Sequence, residues 1–188
     1  MQRFSAHAEP IEPRIADGAA SRARRVRLVL MDVDGVLTDG RIVFQGAEDE
    51  TKFFDAQDGV GIRIAQRAGL QIGFITGRKS EALERRAREL GVTELHQRSL
   101  KKGESYAKVL ASHKLSDEEA AFVGDDIVDL PAMSRAGFAA TVPNARPEVR
   151  SMAHFVTSRY GGRGAVRQVL DFILMVQDRW VSVTRGYV

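Results

Sequence analysis

Residues 31–40 read Met-Asp-Val-Asp-Gly-Val-Leu-Thr-Asp-Gly and follow an apolar run that begins at Val26. A short, near-continuous apolar run of this kind fits a buried strand of a parallel sheet. Asp32 and Asp34 then fall where that strand gives way to a glycine-containing turn. Residues i and i+2 of a strand share a face, so a continued pleat brings both carboxylates to one spot at the strand's carboxyl end. Open α/β sheets bind their ligands there. Two carboxylates so placed can hold a hard cation through oxygen ligands, or act as nucleophile and as general acid or base. A strand that merely runs into a polar Asp-Gly turn would read the same way. The rest of the chain decides between these.

Further on, apolar runs alternate with helical periodicities. After Gly40, residues 41–45 and 50–54 read as the arms of a β-hairpin around a turn at 46–49. A helix over 58–68 precedes a buried strand over 70–75, with Thr76-Gly77-Arg78 at its end. Ser80 to Leu90 is a helix, 94–96 a short strand, and Lys101-Lys102-Gly103-Glu104 opens a helix to about Ser112. Ser116 to Glu119 resembles a capping box. Residues 120–123 form a third buried strand, ended by Gly124-Asp125-Asp126. A helix over 127–135, a strand over 137–142, a short helix over 147–152 and a strand over 154–156 follow. Gly161-Gly162-Arg163-Gly164 reads as a flexible basic stretch, and residues 165–180 as one long amphipathic helix. This alternation predicts an α/β fold, a doubly wound and mainly parallel sheet. Right-handed crossovers put the strand ends on one edge. The expected domain spans 25–180, between an N-terminal tail over 1–24 and a C-terminal tail over 181–188.

The 188 residues suit one domain with a sizeable core. A net charge of +3 gives no strong preference for a polyanion, so no nucleic-acid partner is expected. The absence of cysteine excludes disulfides and thiolate metal sites. No stretch reaches the roughly 18 apolar residues of a membrane helix. Arg24-Arg25 precedes an apolar run too short for a twin-arginine signal, and a cytoplasmic location is expected.

Asp32, Asp34, Thr76, Lys102 and Asp125 therefore come to one sheet edge, with Asp126 and Asp129 beside them. Each has an ordinary structural reading: a strand-end hydroxyl, a surface lysine, or acidic residues at a helix start. Together, in this order, they fit phosphoryl transfer. Asp32 would attack phosphorus and carry an aspartyl-phosphate. Asp34 would protonate the leaving alcohol and later deprotonate water. Asp32 and Asp125, with Asp34 beside them, would hold Mg²⁺. Thr76 and Lys102 would hold phosphoryl oxygens and spread developing charge.

These motifs resemble those of the haloacid dehalogenase superfamily of phosphatases: Asp32-Val33-Asp34-Gly35-Val36 is similar to its first motif. Thr76 closes the second, Lys102 matches the third, and Gly124-Asp125-Asp126 with Asp129 matches the fourth. The resemblance covers residues 27–179. Within the superfamily it is most similar to the phosphatase family of 3-deoxy-D-manno-octulosonate 8-phosphate. That similarity rests on 32–40, Asp58-Gly59-Val60-Gly61-Ile62, Ile75 to Arg78, Val123 to Asp129, and Gly161 to Arg167. Gln168 departs from the glutamate expected after that last motif. The resemblance implies a phosphorylated eight-carbon keto sugar acid as substrate, a nine-carbon nonulosonate 9-phosphate being the runner-up, and a place in lipopolysaccharide biosynthesis.

Arg78, beside Thr76, is the expected partner of the substrate carboxylate, with Gly77 between them. Arg163 or Arg167 would lend a further cation. The gaps between Asp34 and Thr76, and between Thr76 and Lys102, leave no room for a cap domain. Ile42, Phe44, Phe53 and Phe54 of the hairpin need covering, and the resemblance implies a homotetramer whose subunits cover one another's sites. Phosphomutase or phosphonatase chemistry would need a larger cap, and a non-catalytic domain would not need the intact residue set.

Overall fold

The computed structural model describes residues 12–45 and 49–185. Strands are β1 (Arg14–Ile15), β2 (Leu28–Met31), β3 (Val43–Gln45), β4 (Asp49–Thr51), β5 (Gln71–Ile75), β6 (Glu94–His96), β7 (Ala120–Val123), β8 (Phe138–Thr141) and β9 (Phe155–Val156). Helices are α1 (Ala19–Ala23), α2 (Ala56–Arg67), α3 (Glu81–Leu90), α4 (Lys102–His113), α5 (Leu130–Met133), α6 (Pro147–Met152), α7 (Ala165–Val176) and α8 (Trp180–Thr184). Single 3₁₀ turns cover Asp117–Glu119 and Ile127–Asp129. One sheet runs β1-β9-β8-β7-β2-β5-β6, and β3-β4 form a separate hairpin. All pairings in the large sheet are parallel except β1 with β9. The expected doubly wound, mainly parallel architecture is what the chain adopts, with a separate hairpin and, among the described residues, no cap domain.

β2 is the sheet's centre. It pairs with β5 through Met31↔Phe74 and with β7 through Met31↔Val123, so its end meets the ends of both neighbours. Its side chains alternate between two cores. Val29, Met31 and Val33 pack with α1, α2 and α7, whereas Leu28 and Leu30 pack with α4 and α5. Each fully buried Leu or Val side chain contributes about 1.5–3 kcal/mol of burial. By the same alternation Asp32 continues the Leu28–Leu30 face, where α4 begins with Lys102.

Local signals explain the helix starts that matter. The Asp55 side chain accepts the backbone N–H of Gln57 at 2.6 Å and caps α2, and Ser80 accepts that of Leu83 to cap α3. Capping fixes α2 to begin at Ala56, two residues before the expected start.

Four expectations are corrected. The chain is built into the domain well before residue 25: β1 pairs antiparallel with β9, and Ala19 and Ala23 of α1 are buried in the core beside α7. Only residues 1–11 of the expected tail lie outside the described residues. At the other end, the long helix expected over 165–180 stops at Val176; Asp178 takes a φ of +58°, and α8 runs on to Thr184. The expected C-terminal tail thus includes most of a helical turn. Arms of the hairpin are three residues each, so Lys52 to Phe54 lie beyond the ladder, and residues 46–48 are outside the described ones. Gly161 to Gly164 is not a loose stretch. Gly161 N donates to Asn144 Oδ1 at 2.9 Å, and Gly162 N donates to Val36 O at 3.0 Å. Among the described residues, no helix is long and apolar enough to cross a membrane.

Candidate active site

Three strand ends build the centre of the site. Asp32 follows β2 and its N–H donates to Val123 O at 2.9 Å, which ties it to β7. Asp125 follows β7, and Thr76 follows β5; both Asp32 and Thr76 are buried. Lys102, at the start of α4, reaches in with its side chain only 3% exposed. Its Nζ lies 2.8 Å from Asp32 Oδ1 and 2.6 Å from Asp129 Oδ1. Asp129 is fully buried, and its other oxygen accepts the N–H groups of Asp125 at 3.0 Å and Asp126 at 3.2 Å. It thereby fixes both Lys102 and the turn that carries Asp125.

The turn after Asp32 is shaped by glycine. Gly35 has φ +97°, and a Cβ there would lie 2.1 Å from Asp125 Oδ2. A side chain would both strain the backbone and push the Asp125 carboxylate away.

Burial and crowding govern the protonation of this group. The Asp32 carboxyl is pushed up to about 7, first by burial and then by the Asp129 charge, with Lys102 pulling it down. Asp125 is pushed up to about 8 by burial, then by Asp32 and Asp129. For Lys102, burial lowers the pKa, but Asp32 and Asp129 outweigh it and raise it. One cation thus faces three carboxylates whose oxygens lie within 4.8 Å of one another. Asp125 Oδ1 is buried without a hydrogen-bond partner. A buried acceptor left unpaired is costly, and a second cation would satisfy it. The donor set, all oxygen and all carboxylate, suits Mg²⁺. Because Asp129 is already occupied by Lys102 and two N–H groups, Asp32 and Asp125 are the carboxylates that could hold the metal. Asp34, expected beside them as a ligand, is not part of this group: its side chain pairs with Lys52 instead.

A haloacid dehalogenase-like hydrolase model matches residues 61–137. Over 170 residues the chain is 41% identical to 3-deoxy-D-manno-octulosonate 8-phosphate phosphatase KdsC of Yersinia pestis, covering 90% of this chain and 91% of that protein. The chain belongs to that phosphatase family. It is also 39% identical to the Escherichia coli K12 enzyme of the same name, over 85% of both chains. A crystal structure of the Moraxella catarrhalis phosphatase in complex with a magnesium ion, a phosphate ion and a KDO molecule superposes with a TM-score of 0.89 at 34% identity, over 92% of this chain and 99% of that one. The protein is a phosphatase of the haloacid dehalogenase-like hydrolases.

Around the centre of this phosphatase site lie the remaining sequence candidates. The Thr76 hydroxyl accepts the N–H of Arg78 at 3.3 Å. Gly77 has open space where a side chain would stand. The Arg78 side chain is 40% exposed, with Nε 3.1 Å from Glu50 Oε1. Arg163 is exposed and lines two shallow cavities, of about 250 and 330 Å³, together with Asp39 and Arg41. Arg167 is not brought to the cluster. Its Nε donates to both oxygens of Asp171, at 2.7 and 2.8 Å, and its guanidinium lies 5.4 Å from the Trp180 ring centroid. That pairing gives it a structural task along α7. Gln168, the departure from the family pattern, is also structural. Its Oε1 accepts the N–H groups of Ser158 and Arg159 and so latches the loop after β9.

Sequence reasoning missed three residues. Lys52 is buried against Asp34, and Glu50 joins Lys52 to Arg78. Asn144 accepts the N–H of Gly161 and donates through Nδ2 to Gly35 O at 3.0 Å, clamping the turn after Asp32. A lysine and a glutamate on a hairpin read as surface charges, and an asparagine after a proline reads as a turn. Only the pairing distances reveal them.

Proposed function

We propose that this enzyme hydrolyses 3-deoxy-D-manno-octulosonate 8-phosphate to the free sugar acid and phosphate, as a step of lipopolysaccharide biosynthesis. The observation that carries the reading is 41% identity across nine-tenths of the chain to a phosphatase of that name, joined to an intact set of Asp32, Asp34, Thr76, Lys102 and Asp125. In this reading an Asp32 oxygen attacks phosphorus, and the ester oxygen leaves with a proton from Asp34. The aspartyl-phosphate on Asp32 is then cleaved by water that Asp34 deprotonates. Lys102 and the Thr76 hydroxyl hold phosphoryl oxygens, and Lys102 offsets the repulsion between phosphate and the carboxylates. A divalent cation held by Asp32 and Asp125 would neutralise charge developing on the phosphoryl oxygens. Gly77 lets the substrate approach the backbone, while Arg78 pairs with its carboxylate. Arg163, exposed beside Asp39 and Arg41, adds a cation at the mouth.

The same reading takes the working form as a homotetramer. It is supported by the hairpin, where Ile42, Val43, Phe44 and Phe53 are exposed, Phe44 to 71%. A cytoplasmic location belongs to it too, because a doubly anionic sugar acid phosphate does not cross a membrane unaided.

Release of phosphate from the eight-carbon substrate, from a nonulosonate 9-phosphate and from ribose 5-phosphate, with and without Mg²⁺, tests the function. The reading requires the highest kcat/KM on the first, and no turnover by Asp32→Asn. A higher kcat/KM on the nine-carbon phosphate would reassign the substrate.

A further inference from the structure

At the base of the hairpin, Asp34 joins a chain of charged side chains whose other members phosphoryl transfer itself does not need. Lys52 Nζ pairs with Asp34 and lies 3.2 Å from Glu50 Oε1. The same Glu50 oxygen receives Arg78 Nε at 3.1 Å. Charges therefore alternate in the order Asp34, Lys52, Glu50, Arg78. The Lys52 side chain is 1% exposed and that of Glu50 7%, whereas Arg78 is 40% exposed. Burying a carboxylate and an ammonium is expensive unless each is paired. A surface hairpin has no need to bury either for stability, since both side chains are long enough to reach water.

We infer that Glu50 is a positioning residue that sets the Arg78 guanidinium for the substrate carboxylate, and is itself held in place by the buried Lys52 ammonium. The inference deepens the proposed function and rests on it.

The geometry of the two cations gives the reason. A guanidinium is a planar fork with donors at fixed angles. Holding it by Nε fixes the plane and leaves the terminal amino groups of a part-exposed side chain as donors for a carboxylate. The Lys52 ammonium, buried between Asp34 and Glu50, anchors the carboxylate that holds Arg78. Without the Glu50 charge, the Arg78 guanidinium would be free to follow any nearby anion. With it, the fork keeps one plane and presents its remaining donors to a carboxylate.

Steady-state kinetics of the full-length Mg²⁺-loaded enzyme test this, on 3-deoxy-D-manno-octulosonate 8-phosphate and on ribose 5-phosphate, which lacks a carboxylate. Glu50→Gln should lower kcat/KM for the sugar acid phosphate about tenfold, chiefly through KM, because charged hydrogen bonds carry that order of energy. Ribose 5-phosphate should change by less than about twofold. A double variant of Glu50→Gln with Arg78→Ala should lose little more than Arg78→Ala alone, since the two act through one contact. Equal losses on both substrates, or losses that add, would overturn the inference. Should Glu50→Gln not fold, Glu50→Asp carries the test by the same criteria, its shorter arm being unable to serve both cations. A wild-type enzyme with no preference for the sugar acid phosphate would remove the substrate reading and this inference with it. A wild-type preference that Glu50→Gln leaves intact would remove the inference alone.

Discussion

Lys102 Nζ lies 2.8 Å from Asp32 Oδ1, inside a shell where neither side chain is more than 8% exposed. The lysine also holds Asp129 at 2.6 Å, so it is a cation placed between two buried carboxylates. Removing one partner of such a group leaves uncompensated charge, at a cost of about 3–5 kcal/mol. Lys102→Met should therefore lower the melting temperature clearly in metal-free buffer, and raise the Asp32 pKa further. Loss of a phosphoryl-oxygen donor should also cost about 10² to 10³ in kcat. A Lys102→Met enzyme with wild-type kcat would contradict the assigned role; thermal melts and phosphate release check both parts.

Asp125 gives the opposite sign in the absence of metal. Its carboxyl is pushed up to about 8 by burial and by Asp32 and Asp129, which means that its ionised form destabilises the apo fold. Asp125→Asn should leave the apo protein at least as stable as wild type at pH 8.5. Mg²⁺ at a hundred times its Kd should stabilise the wild type by about 2.7 kcal/mol and the variant by far less. Calorimetry with and without EDTA reads this directly, and an equal Mg²⁺ shift in both proteins would exclude Asp125 as a ligand.

Phe44 is 71% exposed on β3, next to exposed Val43 and Ile42. Exposed apolar side chains clustered on a two-stranded hairpin fit the proposed interface between subunits. On the proposed assembly, wild type should run near four times 20.7 kDa, and Phe44→Asp should give smaller species and lower kcat/KM together with it. Light scattering that shows an unchanged assembly would locate the interface elsewhere.

A separate titration comes from Asp58, which lies on α2 but accepts the N–H of Arg167 on α7 at 2.7 Å. Burial pushes its carboxyl up to about 6 from 3.8, against that hydrogen bond. Its folded pKa is above the unfolded one, so its contribution to stability is complete below about pH 4 and is lost as pH rises through about 6. Asp58→Asn keeps the acceptor oxygen but cannot ionise. The variant should therefore melt progressively above the wild type as pH rises from 4 to 7.5, by at most about 3 kcal/mol. Parallel melting curves across that range would show that Asp58 does not carry the effect.

Those two residues also show what a sequence can and cannot disclose. Asp32, Asp34, Thr76, Lys102 and Asp125 were legible because each stands at a strand end or helix start, and the alternation of strands and helices places those ends on one edge. The central strands were legible from apolar runs. Asp58 lay within a motif that the sequence displays, yet its task of capping a helix more than a hundred residues later depends on how α2 packs on α7. Lys52, Glu50 and Asn144 are similar: each acts on a residue far away in the chain, and no local period encodes that. The early domain start at β1 escaped because two residues of edge strand leave almost no pattern.

Gly161 tests whether the glycine-rich stretch serves the chemistry. A Cβ at this position would lie 1.8 Å from Gly35 O and 3.0 Å from Thr38 O, both in the turn that follows Asp32 and Asp34. These are backbone atoms, which cannot swing aside as a flexible side chain would. Asn144 further clamps Gly161 N to Gly35 O from the other side. Gly161→Ala must therefore displace either the turn after Asp32 or its own loop. Misplacing catalytic groups by about 1 Å can cost on the order of 10²-fold, whereas the added methyl lies outside the main cores and should cost only about 1–3 kcal/mol as overpacking. The expected result is a folded enzyme with kcat reduced about 10- to 100-fold. Wild-type kcat in a folded Gly161→Ala protein would mean that the glycine loop moves freely and that the Asp32 turn is held by Asn144 and β2 without it.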